Sequence, residues 1–87
     1  MRADPETVRA LFGTGDSELA AALLAQAARA AGAVGGEGTA RDTARDFMLA
    51  AIRDFAPRDA PERMLAVQMA ATHAAMMSAA ERLADAA

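Results

Sequence analysis

DAPERMLAVQMAATHAAMMSAAERLA, residues Asp59–Ala84, is the stretch whose reading decides the fold. It opens with a helix start signal, and from Met64 to Ala80 it carries no formally charged residue. Only Gln68, Thr72, His73 and Ser78 interrupt a run of Ala, Met, Leu and Val. A helix with one apolar stripe rests on a domain surface, whereas one that is apolar nearly all round has to be covered nearly all round. The cover must come from the other helices, from a second copy of the chain, or from another protein.

Within this stretch Leu65, Met69, Thr72, Met76, Ala79 and Leu83 are spaced 4, 3, 4, 3, 4, an a/d-type seam over roughly three heptads. Met64, Val67, Ala71, Ala74 and Ser78 repeat that spacing with smaller side chains, which allow close backbone approach. One row suits a neighbouring helix of the chain and leaves the other for helix two or a partner. Two seams on one helix predict a bundle or a dimer. Gln68 adds a lone amide, which is costly to bury unpaired and is able to set register in a helical assembly or to bond within the bundle. The expected association seam is therefore Met64, Leu65, Gln68, Met69, Thr72, His73, Met76, Ala79 and Leu83.

Upstream, Pro57 ends a third helix, biases Ala56 away from the α region and leaves Arg58 as the turn. Asp59 and Glu62 then form a capping pair for the fourth helix, over 59–85, with Pro61 tolerated in its first turn. So short a link predicts antiparallel neighbours. The third helix, over 39–56, is expected to start at a Thr39–Asp42 capping box. Its apolar stripe is Ala44, Phe47, Met48, Ala51, Ile52 and Phe55, with Asp42, Arg45, Asp46 and Arg53 in water. Asp42 and Asp46 repel, softened by Arg45 and Arg53.

Residues 33–38, Ala-Val-Gly-Gly-Glu-Gly, read as a flexible joint. Before it a helix over 16–31 is capped by Asp16 or Ser17 and stopped by Gly32, with Leu19, Leu23, Leu24 and Ala27 on one face. A short helix over 4–12 begins with Asp4-Pro5-Glu6, carries Val8, Leu11 and Phe12 inward, and stops at Gly13-Thr14-Gly15.

Composition narrows the function classes. Eighty-seven residues make one domain with a marginal core. Alanine fills nearly a third of the chain, favouring helix and tight packing. Cysteine is absent, which excludes disulfides, zinc–thiolate sites and thiol nucleophiles. The net charge of −3 argues against nucleic acid, and all nine basic residues are Arg. The polar N-terminus shows no secretory signal, and Met64–Ala80 is too short and polar to span a bilayer. The chain reads as soluble and cytoplasmic, with no membrane or nucleic-acid partner.

Candidate chemistry is sparse. His73, the only histidine, shares a helix face with Met69, Met76 and Met77, a set able to hold a soft ion such as Cu(I). Without a Cys or a second His, core filling by the methionines is the simpler account. His73 has no carboxylate within a turn to orient it as a base, so no catalytic residue is assigned. Gly35-Gly36-Glu37-Gly38-Thr39 looks superficially like a phosphate loop but lacks the lysine and the preceding strand. The Arg/Asp alternation from Arg41 to Asp59 reads most simply as a solvated helix face, or alternatively as a device that sets the register of a partner.

Asp46-Phe47-Met48-Leu49, Pro57-Arg58-Asp59 and the motif Met64-Leu65-Ala66-x-Gln68-Met69-Ala70-x-x-His73-x-x-x-Met77 resemble a group of small proteobacterial proteins of phage or mobile-element character. The similarity covers about half the chain, and the Gly13-Thr14-x-Asp16 region weakly. Members of that group continue past the equivalent of Ala87 with a charged helical segment, and the group brings no established activity. A phage- or element-encoded accessory protein that binds and modulates a host protein with its acidic surface is accordingly a second functional expectation.

The expectation is an all-α single domain: a small helical bundle built on an antiparallel helical hairpin and completed by homo-oligomerisation, a dimer favoured. Its function is that of a non-enzymatic association module without cofactor or metal. A host-protein modulator and a Met/His soft-metal bundle are the alternatives.

Overall fold

A computed structural model describes residues 4–86. Residues 1–3, part of the polar N-terminus read above, lie outside them. The described chain is a bundle of four helices, α1 (Pro5–Phe12), α2 (Ser17–Gly35), α3 (Gly38–Phe55) and α4 (Ala60–Ala86), without strands.

Most helix ends follow local chemistry. The Asp4 carboxylate accepts from the Thr7 amide at 3.3 Å, and Asp16 accepts from Glu18 and Leu19 at 2.9 and 3.1 Å. Asp59 accepts from the Glu62 amide at 2.9 Å. The return bond of that capping pair goes one residue further back than expected, because Glu62 accepts from the Arg58 amide at 2.8 Å. Gly13 ends α1 in the left-handed region at φ 64°, and Ala56 ends α3 there at φ 50°.

Two ends differ from expectation. Gly32 does not stop α2, which runs on to Gly35 and ends at Gly36, where φ 77° and ψ −115° suit only glycine. A helical glycine costs about 1 kcal/mol relative to alanine, and burial of Ala31 and half-burial of Val34 hold the extra turn in place. The flexible joint expected over 33–38 thus shrinks to Gly36 and Glu37. The chain re-enters helix at once, so α3 begins at Gly38 with Glu37 as an N-cap that makes no side-chain bond. Thr39 and Asp42 fall inside the helix and form no capping box.

The core comprises Val8 and Phe12 from α1, Ala20, Leu23, Ala27 and Ala31 from α2, Met48 and Ile52 from α3, and Ala66, Val67, Ala70 and Ala74 from α4. On α2 the inward row is shifted from the expected face, since Ala20 is buried and Leu19 lies at the surface. The α3–α4 pair was expected to be the centre, yet the most extensive contact is between α2 and α3. Their two-residue link explains this: a Cβ on Gly35 would fall 2.6 Å from the Ala40 carbonyl oxygen, so the helices leave the turn nearly touching. On the other side of α3, Phe47 and Ala44 border His73 and Met77, while Phe55 borders Leu65 and Met69. The end of α3 therefore meets the start of α4.

One long-range clamp joins the turns at one end of the bundle. Arg63 donates to the Gly13 carbonyl oxygen at 2.7 Å, and a Cβ on Gly13 would collide with the carbonyl oxygen of buried Pro57. At the other end Ser78 donates to the Val34 carbonyl oxygen at 3.3 Å, tying α4 to α2. No helix among the described residues is long and apolar enough to cross a membrane.

Candidate association surface

With 3.6 residues per turn, Ala66, Val67, Ala70 and Ala74 occupy one arc of α4, and Leu65, Met69, Thr72, Met76, Ala79 and Leu83 occupy the arc about 180° away. The structure gives the first arc to the core and leaves the second outside. Leu65 is 53% exposed, Met69 51%, Met76 65% and Leu83 73%, while Thr72 is exposed and Ala79 half-buried. The helix that was expected to need cover all round is covered by this chain on one side only.

Why the small row goes inward follows from geometry. Alanines at Ala66, Ala70 and Ala74 let the α4 backbone approach α2 and α3 closely, where Leu or Met would hold it away. Ala66 and Ala70 belonged to neither expected row, and Met64 of the small row is 56% exposed. The buried arc is therefore rotated slightly from the one that spacing alone suggests.

Aromatic residues from α3 extend the outward face. Phe47 and Phe55 were expected inside; the structure leaves both about half-exposed beside α4. Phe47 stacks on His73 with ring centroids 5.4 Å apart. Phe55, the last residue of α3, joins Leu65 and Met69 around a hollow of about 520 Å³ whose rim carries Arg58 and Glu62. The pattern could not distinguish these rings from the inward Met48 and Ile52, because all four fall within a broad apolar sector. Sequence reasoning thus missed that α3 contributes to the surface.

The polar seam residues lie in the open. Gln68 is exposed, so its amide is hydrated in the single chain and carries no burial cost. His73 is exposed on its Phe47-facing side of α4, in a groove of about 580 Å³ that also holds Met77, Ser78 and Arg82. Met69 and Met76, expected to share a face with it, belong to the outward seam and do not line that groove. Among the described residues no group of three or more His, Asp or Glu is placed to hold a metal ion.

The electrostatics at the start of α4 are ordered. The backbone amide of Arg58 donates to the Glu62 carboxylate, and the Arg58 guanidinium lies 3.4 Å from it, so Glu62 is held below its ordinary carboxylate value. Hydrogen bonding to Glu62 correspondingly raises Arg58. On α3 Arg45 lies 3.6 Å from Asp42, as expected, and also 3.3 Å from Asp46, which pairs with this adjacent residue and not with Arg53 as expected, two turns further on. The α3 pairs lie at the surface of that helix, whereas Arg58 and Glu62 border the hollow beside Leu65 and Met69.

The molecule is also open for its size. Its 5810 Å² of accessible surface compares with about 4,800 Å² expected of a folded monomer of 8.9 kDa. Its radius of gyration of 13.4 Å exceeds the about 12 Å of a compact chain of this length. Comparison with protein-family models, curated proteins and solved structures finds no match to this chain.

Proposed function

We propose that this protein is a non-enzymatic helical association module that pairs with a second copy of itself through the outward face of α4. The supporting observation is the continuous row of exposed Leu65, Met69, Met76 and Leu83, on the arc opposite the core and without a charged residue from Met64 to Ala80. Exposed apolar patches of this extent mark interaction sites. Heptad spacing on a free helix suits a partner helix of the same kind. In this reading α3 and α4 form an antiparallel hairpin whose outward side the partner's α4 completes as a larger bundle.

Light scattering coupled to size exclusion tests it. The wild-type chain is expected at twice 8.9 kDa. Met69→Asp is expected at the monomer mass with its helical circular dichroism intact, because the charge then remains in water. A wild-type mass that stays monomeric at every concentration would defeat the reading.

A further inference from the structure

The seam has an internal symmetry that its spacing carries. Leu65 and Leu83, Met69 and Ala79, and Thr72 and Met76 are three pairs that share a midpoint at Ala74. A second α4 laid antiparallel, with the two-fold axis at the level of Ala74, sets each residue opposite the other member of its pair. Building on the self-association reading, we propose that the protein forms an antiparallel two-fold dimer in this one register, with the partner's Leu83 seated in the hollow between Phe55, Leu65 and Met69.

Three observations favour this arrangement over a parallel one. The first is volume. Antiparallel pairing puts Met69 against Ala79 and Met76 against Thr72, so these inner layers each join one long and one short side chain, with Leu65 against Leu83 at the ends. Parallel pairing would stack Met on Met and Ala on Ala, alternating crowded and empty layers, whereas interiors pack to even density. Parallel pairing would also bring Thr72 against Thr72, two hydroxyls in an apolar seam.

The second is the match of knob to hollow. Leu83, at 73%, is the most exposed large apolar side chain, and it projects near one end of α4. The hollow of about 520 Å³ lies near the other end. An antiparallel two-fold brings each Leu83 to the partner's hollow, twice over, since an isologous interface repeats every contact. In a parallel pair the hollows lie level with each other and the leucines meet at the far end.

The third concerns Gln68. It lies on the same flank of α4 as Arg82, and the antiparallel register brings it within a turn of the partner's Arg82. The amide oxygen there accepts from a guanidinium that in the single chain donates to Ser78 at 2.7 Å. In a parallel pair that flank would meet the copy's opposite flank, at the level of His73, where no guanidinium lies.

Cross-linking reads the register directly. The chain has no cysteine, so single substitutions label one position each. Met69→Cys and Ala79→Cys chains are mixed and treated with a short bis-maleimide, alongside each variant alone and the wild-type mass. The mixed 69–79 link is expected to dominate over either self-link. Self-links, or a dimer that yields no 69–79 link, overturn the register while leaving self-association standing. A wild-type chain at 8.9 kDa overturns both. As a second variant, Leu83→Ala alters a side chain already in solvent, so the single chain keeps its fold. Its dimer dissociation constant is expected to rise about tenfold or more, and an unchanged constant overturns the seating of Leu83.

Discussion

Gly13 shows how much one residue without a side chain can hold. Its left-handed backbone ends α1, its carbonyl takes the Arg63 guanidinium, and its missing Cβ leaves room for the Pro57 carbonyl. Gly13→Ala is therefore expected to destabilise the fold by about 2 kcal/mol or more, combining left-handed strain with a backbone collision. Urea denaturation measures it, and a loss below about 0.5 kcal/mol would show that the turns do not press together. Glu62 makes a second residue-scale prediction. Its acidity is strengthened in the folded chain, first by the Arg58 amide and then by the Arg58 side chain. A carboxylate of this kind contributes stability above its unfolded value, and that contribution fades as pH falls through the folded one. Glu62→Gln should therefore be less stable than wild type at neutral pH, and the gap should close in strong acid. Parallel denaturation curves across pH decide this, and a gap independent of pH counts against it.

On α4 the two faces answer differently to substitution. Ala70, 4% exposed, lies on the arc of α4 that enters the core, and Ala70→Leu is expected to cost about 1–3 kcal/mol through overpacking. Thermal melting under conditions that keep the chain monomeric reads this cost separately from association. A Leu at position 70 that leaves the melting point unchanged would show that the alanine row is not tightly packed. The same helix shows where sequence reasoning reaches its limit. The caps at Asp4, Asp16 and Asp59 and the stops at Gly13 and Pro57 were legible, because each acts on backbone groups within three or four residues. Gly32 misled because a glycine stops a helix only where neighbouring packing does not carry it onward. The choice between the two rows of α4 was illegible for a different reason: both have the same period, and only the closeness demanded by α2 and α3 selects alanine over methionine. Phe47 and Phe55 escaped for the same reason, their surface placement depending on where neighbouring helices end. The apolar row from Leu65 to Leu83 was legible as a periodicity, whereas its place on the exposed arc opposite the core needed coordinates.

At the scale of the whole molecule, an elongated shape goes with the length of α4 and with a core half of whose residues are alanine. Principal extents of 47 × 26 × 17 Å describe an elongated body with α4 as its longest element. If that body pairs, association adds to stability by mass action, and the melting temperature should climb as protein concentration increases. Differential scanning calorimetry over a hundredfold concentration range reads this, and a constant midpoint would show that pairing contributes nothing to the folded state. The Met69→Asp chain should give a constant midpoint whatever its concentration.

The separation of the two arcs on α4 has an evolutionary consequence. Core positions and outward positions share no residue. If the outward arc meets a neighbour, selection can rewrite that contact one side chain at a time while the interior of α4 stays as it was.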